Sequence, residues 1–233
     1  QRDIPTLLSV ISQRMAEGYR RIKLKIKPGW DVDMLRAVRS EFRDISLMAD
    51  ANAAYSIDDL EHIASLDELG LLMIEQPFGY DDLADHAVLQ SKIETAVCLD
   101  ESIKSSRSVI QAHEMGSCRI VNIKPGRVGG LSEAMAIHDL CVERSMAVWC
   151  GGMLETGIGR AHNVALASKT GFRLPNDLSA SGRYYNEDII EPAFKLNDDG
   201  TLSVPTKPGI GVDVMLDRLE RFTVDHEVLV ESH

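Results

Sequence analysis

The chain has 233 residues, 44% of them hydrophobic and 26% charged, which is enough for one large domain and unlike a disordered chain. Its 25 basic and 36 acidic residues leave a formal charge of −11, which argues against a general nucleic-acid binder with a basic face. The longest apolar runs, such as Leu71 to Ile74, fall far short of the ~20 residues that a membrane-spanning helix needs.

The opening residues, Gln1 to Pro5, carry no signal peptide and no initiator Met, so the chain is expected to be a piece of a longer protein. Thr6–Glu17 then reads as a helix with no strand before it. After it, six apolar, strand-like runs recur about every 25 residues: Ile22–Ile26, Ser46–Ala49, Leu71–Ile74, Ala96–Leu99, Arg119–Ile123 and Met146–Trp149. Between them, Asp33–Phe42, Ser56–Leu69, Tyr80–Ile93, Ser105–Met115 and Leu131–Arg144 space their apolar residues by three and four, as amphipathic helices do. Ser56 and Ser132 are the expected N-caps of two of these helices. A weaker seventh unit runs from a helix at Gly159–Ala167 to a short strand at Phe172–Leu174. Past Ile190 the beat stops: Phe194–Thr206 reads as extended chain around an Asn197–Gly200 turn, and Val214–Glu220 as a short helix.

Alternating strands and helices at a constant interval imply β/α units on a parallel sheet. A doubly wound sheet would satisfy the pattern. A closed β/α barrel is preferred, because the units are regular and the polar residues fall at one end of each strand. An eight-stranded barrel would lack its first strand here. The expected division is a barrel domain over 1–190 and a C-terminal segment over 191–233.

None of the four cysteines, Cys98, Cys118, Cys141 and Cys150, forms a C-x-x-C pair, and three lie in strand-like runs. That usage points to reduced thiols and a cytoplasmic setting. His62, His86, His113, His138 and His162 fall in helical segments, out of phase with the strand ends, and read as surface or packing residues. Gly126–Gly130 lacks the spacing of a nucleotide-binding loop and reads as a tight turn from strand to helix.

In a β/α barrel the active site forms at the C-terminal ends of the strands. Lys25, Asp50, Glu75, Asp100 and Lys124 stand there in phase, 25, 25, 25 and 24 residues apart. Three neighbouring carboxylates cannot all stay ionised without a cation between them. Oxygen donors with no His or Cys in phase suit Mg²⁺, with Mn²⁺ as a substitute. Lys23 and Lys25, two apart on one strand, share a face, so Lys23 is expected to help keep Lys25 deprotonated and able to act as a base. A divalent cation between two amines suits removal of the proton α to a carboxylate through an enediolate.

These motifs in order, Lys23-Leu24-Lys25, Asp50-Ala51-Asn52, Ile74-Glu75-Gln76-Pro77, Leu99-Asp100-Glu101-Ser102, Asn122-Ile123-Lys124-Pro125-Gly126 and Trp149-Cys150-Gly151-Gly152-Met153, resemble the muconate-lactonizing subgroup of the enolase superfamily. Within it they are most similar to the o-succinylbenzoate synthase / N-succinylamino acid racemase group. The resemblance covers nearly the whole chain, including Pro205–Val212.

It implies a TIM-type barrel lacking the N-terminal capping domain and first barrel strand of that family, with the segment after 190 packing on the absent cap. It implies that Asp50, Glu75 and Asp100 hold Mg²⁺, that Lys25 and Lys124 act on opposite faces of the substrate, and that Lys23 and Asn52 approach its carboxylate. Gly151, Gly152 and Met153 would approach the substrate from the sixth strand. Glu101 would support a lysine or the metal, and Glu155 would pair with a site lysine. The implied activity is synthase dehydration in menaquinone biosynthesis, with N-succinylamino acid racemisation beside it. A dipeptide epimerase, a muconate cycloisomerase and a non-catalytic metal-binding barrel are the rivals. The implied partners are a small carboxylate substrate and further copies of the chain in a homo-oligomer, with no nucleic acid and no membrane.

Overall fold

The computed structural model describes residues 3–227, and the last residues of the expected C-terminal segment lie outside that range. Six strands form one parallel sheet in sequential order: β1 (Arg21–Lys25), β2 (Ser46–Asp50), β3 (Ile74–Glu75), β4 (Val97–Leu99), β5 (Ile120–Ile123) and β6 (Ala147–Cys150). Each falls on one of the six apolar runs. The helices between them are α2 (Val32–Glu41), α3 (Leu60–Ala64), α4 (Leu83–Lys92), α5 (Ser106–Met115), the short α6 (Pro125–Val128) and α7 (Leu131–Glu143). The helix α1 (Ile4–Ala16) precedes the sheet, and α8 (Gly157–Ala167) follows it.

Local chemistry explains the boundaries. Asp3 caps α1 by accepting from the Thr6 amide at 2.8 Å, and Asp31 caps α2 by accepting from Val32 at 2.7 Å. Ser56 and Asp59 form a capping box, as the sequence predicts for Ser56. The expected cap at Ser132 is not made. Helix α7 starts at Leu131 behind Gly130, two residues earlier than a Ser132 cap would place it, so Ser132 lies inside its first turn. The neighbouring Glu133 turns instead to α5, accepting from the Ser106 amide and hydroxyl at 2.6 and 2.7 Å. Segment 57–69 forms three short helical pieces in place of one helix.

The sheet is buried on both faces, as a parallel sheet flanked by helices must be. Outside it lies the main core, which includes Leu35, Leu47, Leu66, Ile74, Val121 and Ile137. Inside lies a smaller cluster of Met48, Met73, Cys98, Ile120 and Trp149. The two-residue period of a strand then carries this inner face up to the strand ends. From Met48 it reaches Asp50, from Met73 it reaches Glu75, from Cys98 it reaches Asp100, and from Ile120 it reaches Asn122 and Lys124. All four cysteines are buried, and none is in a disulfide.

The expected closed barrel is realised in part. The sheet ends at β1, which pairs only with β2 among the described residues. The seventh strand is reduced to two parallel bridges, Phe172 to Val148 and Asp177 to Gly151. The sheet is nonetheless curled, because the Lys23 ammonium on β1 comes within 3.0 Å of the Asp177 carboxylate beyond β6.

After α8, β7 (Ile190–Glu191) and β8 (Asp213–Val214) pair antiparallel. Ile190, Phe194 and Val212 pack on Ala161 and Val164 of α8. Leu196 and Leu202 bridge across the Asn197–Gly200 turn. The last helix, α9 (Leu216–Phe222), turns Arg218 toward Asp188 and Glu191 and leaves Leu216, Leu219 and Phe222 exposed. No helix among the described residues is long and apolar enough to cross a membrane.

Candidate active site

Parallel register brings the in-phase residues together. Lys25 lies opposite Asp50, and Asp50 lies opposite Glu75. Asp100 and Lys124 follow directly after β4 and β5. The lysines flank the row of acids: Lys25 Nζ donates to Asp50 Oδ2 at 2.6 Å, and Lys124 Nζ donates to Asp100 Oδ2 at 2.7 Å. Glu75 sits between these pairs, fully buried, and accepts from Asn122 Nδ2 at 2.8 Å.

Lys23 stands deeper on the same face of β1. Its Nζ lies 3.2 Å from Asp50, 3.4 Å from Glu75 and 3.0 Å from Asp177. Burial disfavours charge on Lys23, but Glu75, Asp177 and Asp50 outweigh it and raise its pKa above the usual lysine range. Burial likewise opposes charge on Asp50, and Lys23 and Lys25 hold its carboxyl below the usual range. Glu75 goes the other way. Burial pushes its carboxyl up to about 8; Lys23 pulls against this, while Asp50 and Asp100 add to it.

Among the described residues, no three His, Cys, Asp or Glu side chains are drawn into a ready metal cage. The strand ends converge, and the chain's own ammonium groups take up carboxylate oxygens there. The donor set still fits a hard divalent ion. It consists of oxygens only, on three adjacent strand ends, and Glu75, raised first by burial and then by the charges of Asp50 and Asp100, is the group that a cation would relieve.

The remaining expected residues are placed as follows. Asn52 accepts from Lys25 Nζ through Oδ1 and donates to Glu101 Oε1 at 3.0 Å, so Glu101 reaches Lys25 through Asn52. Glu155 pairs with no lysine. It lies in the turn before α8 and bends back on its own loop, accepting from the Met153 amide at 2.7 Å and from Asn163 at 2.9 Å. Met153 is exposed and lines, with Gly152, a cleft of about 1050 Å³ along the open edge of β1.

Both glycines are needed for packing. A Cβ on Gly151 would lie 2.2 Å from Asn122 Oδ1 and 2.7 Å from Lys124 Cε. A Cβ on Gly152 would lie 2.2 Å from the Asp177 carbonyl oxygen. Gly151→Ala is therefore expected to displace Lys124 and to destabilise the fold by ~1–3 kcal/mol. Parallel urea melts and activity assays check it; an unchanged protein would show that the site has slack.

Three residues to which the sequence reading gives no role also reach the site. Arg127, in the presumed turn, is carried back by α6 so that its guanidinium donates to the Asp100 carbonyl at 2.8 Å and to the Asp100 carboxylate. Gln76 adopts a left-handed backbone (φ 41°) and accepts from the Asp100 and Ser102 amides at 3.0 and 3.2 Å, joining the ends of β3 and β4. Asp177 was within reach of the periodicity: it follows Gly151 by 26 residues and so continues the beat. The short, polar run around it hides the strand.

Comparison with known proteins agrees with this geometry. Residues 7–218 match a family model described as enolase C-terminal domain-like. The chain is 55% identical over 223 residues to an o-succinylbenzoate synthase of Geobacillus kaustophilus, an alignment covering 96% of this chain and 59% of that protein. It is 53% identical over 221 residues to an N-succinylamino acid racemase of an Amycolatopsis species, covering 94% and 60%. A crystallised enolase-superfamily member from Listeria innocua superposes with a TM-score of 0.93 at 50% identity, over 97% of this chain and 60% of that one. The chain thus spans about three fifths of the length of these relatives. With six parallel strands in register and the family model matching residues 7–218 of the chain, the chain belongs to the enolase C-terminal domain-like family, within the enolase superfamily.

Proposed function

We propose that the protein containing this chain removes the proton α to the carboxylate of a small organic acid, acting as an o-succinylbenzoate synthase with N-succinylamino acid racemase activity at the same centre. The observation that carries this reading is the symmetric flanking of the acids, with Lys25 on Asp50 at one end and Lys124 on Asp100 at the other. Relatives bearing both names, at 53–55% identity, support it.

Asp50, Glu75 and Asp100 would hold Mg²⁺, with Mn²⁺ as a substitute. Bound there, the ion supplies Lewis-acid stabilisation of the negative charge that grows on the substrate carboxylate. Lys25 takes the α-proton from one face. In the synthase direction it then returns that proton to the departing hydroxyl, which leaves as water, while the Lys124 ammonium stabilises the opposite face. In racemisation Lys124 delivers a proton where Lys25 removed one. Lys23 is held cationic by Glu75, Asp177 and Asp50 against the cost of its burial. Asn52 fixes the Lys25 amine and, with Lys23, meets the substrate carboxylate.

The same reading gives the protein a cytoplasmic setting and a homo-oligomeric state. It places one further strand beside β1 and a capping domain against the exposed face of α9 and segment 191–233.

The test uses the intact protein with Mg²⁺ in D₂O. An N-succinylamino acid should lose its α-proton NMR signal and racemise, and the cyclohexadiene carboxylate precursor should dehydrate. Loss of the signal without dehydration would leave only the racemase. Neither reaction, with Mg²⁺ bound, would refute the proposal.

A further inference from the structure

Asp177 belongs to none of the motifs that carry the proposed reaction, yet it touches the same ammonium as two of the acids. Its position is rigid. The Asp177 amide donates to the Cys150 carbonyl at 2.9 Å, and its own carbonyl accepts from Gly152 at 3.0 Å. The preceding Asn176 accepts from the Cys150 amide at 2.7 Å. These bonds place Asp177 at the end of a seventh strand position, facing β1 across the cleft.

Lys23 is the group it meets. Of the three carboxylates around Lys23 Nζ, Asp177 is the nearest at 3.0 Å, against 3.2 Å for Asp50 and 3.4 Å for Glu75. The Lys23 side chain is only 18% exposed and its ammonium lies 5.3 Å from the centre of the Trp149 ring, so it is largely withdrawn from water. Burial opposes charge on Asp177 too, but Lys23 and Arg21 hold its carboxyl below the usual range.

An ammonium and a divalent cation cannot both take full hold of Asp50 and Glu75. Like charges repel at that separation, and each needs the same oxygens. The chain therefore needs somewhere else for Lys23 to bond when the divalent ion enters. Among the described residues, Asp177 is the one carboxylate in contact with Lys23 that lies outside the row of three.

Resting on the metal reading above, we propose that Asp177 is a positioning residue that draws the Lys23 ammonium away from Asp50 and Glu75, leaving their oxygens to the divalent cation. It would touch neither the metal nor the reacting atoms.

The experiment is a Mg²⁺ titration of the intact protein without substrate, by calorimetry and tryptophan fluorescence. Wild type, Asp177→Asn, Lys23→Met, the double variant and Asp177→Glu are compared. Asp177→Asn should bind Mg²⁺ about 10-fold more weakly, within the range typical of groups that support metal ligands. Lys23→Met should bind at least as tightly as wild type. In that background Asp177→Asn should cause no further loss, because the competing ammonium is gone. Asp177→Glu, which keeps the charge, should stay within about twofold of wild type while Asp177→Asn does not.

Wild-type affinity in Asp177→Asn, or an equal loss with and without Lys23, would overturn the proposal; the second result would mean that Asp177 only packs the loop. If Asp177→Asn fails to fold, the comparison passes to Asp177→Glu and to the double variant in the Lys23→Met background, where full Mg²⁺ affinity is expected and a loss refutes the idea. A wild-type protein that takes up no Mg²⁺ would sink the metal reading itself, and this inference with it.

Discussion

Lys25→Ala is expected to lower turnover about 10⁴-fold, the upper range for loss of a general base, while leaving the fold intact. The side chain is 61% exposed, and Asp50 keeps Lys23 at 3.2 Å when Lys25 is removed. The loss should be stereospecific. With Lys124 still present, exchange in D₂O should survive for the enantiomer whose α-proton faces Lys124 and vanish for the other. Lys124→Ala should give the mirror result, with Asp100 left to Arg127. NMR exchange on each separate enantiomer checks both variants. Wild-type exchange of both enantiomers in Lys25→Ala would remove Lys25 from the mechanism.

Glu75→Gln should weaken Mg²⁺ binding by at least ~10²-fold, since even groups that only support ligands are worth 10- to 100-fold. The same variant should change how the metal-free protein responds to pH. The folded Glu75 carboxyl is pushed to about 8 by burial, against 4.5 unperturbed. Between those values the folded chain holds a proton that the unfolded chain has released. Stability from this group is therefore fully present below about pH 4.5 and is lost as pH rises through about 8. The loss should amount to a few kcal/mol in wild type with EDTA, and it should be largely absent in Glu75→Gln. Mg²⁺ at 100 times its Kd should restore about 2.7 kcal/mol at pH 8.5. Urea melts at pH 5.5 and 8.5 measure all of these. An equal pH response in wild type and Glu75→Gln would show that Glu75 is not the group responsible.

The in-phase acids and lysines were legible because a strand has a strict period of two and each β/α unit has nearly the same length. Parity along β2 to β5 alone decides that Asp50, Glu75, Asp100 and Lys124 share the inner face with Met48, Met73, Cys98 and Ile120. Helix ends were less legible. Ser132 lost its expected role because Gly130 starts α7 earlier, and a tertiary contact from α5 then captures Glu133. The expected pairing of Glu155 with a site lysine gives way to a local turn that brings its carboxylate onto its own loop.

The amino-acid order by itself determined the β/α repeat, the row of three acids between two lysines and the family to which the chain belongs. These rest on local periodicity and on residue types at regular intervals, which need no knowledge of distant contacts. Only the tertiary structure decided that the seventh strand shrinks to two bridges, and that Asp177, Arg127 and Gln76 join the site. Those outcomes depend on which surfaces meet across the curl of the sheet, where Asp177 competes for one ammonium with acids more than 100 residues before it and no short-range pattern records the winner.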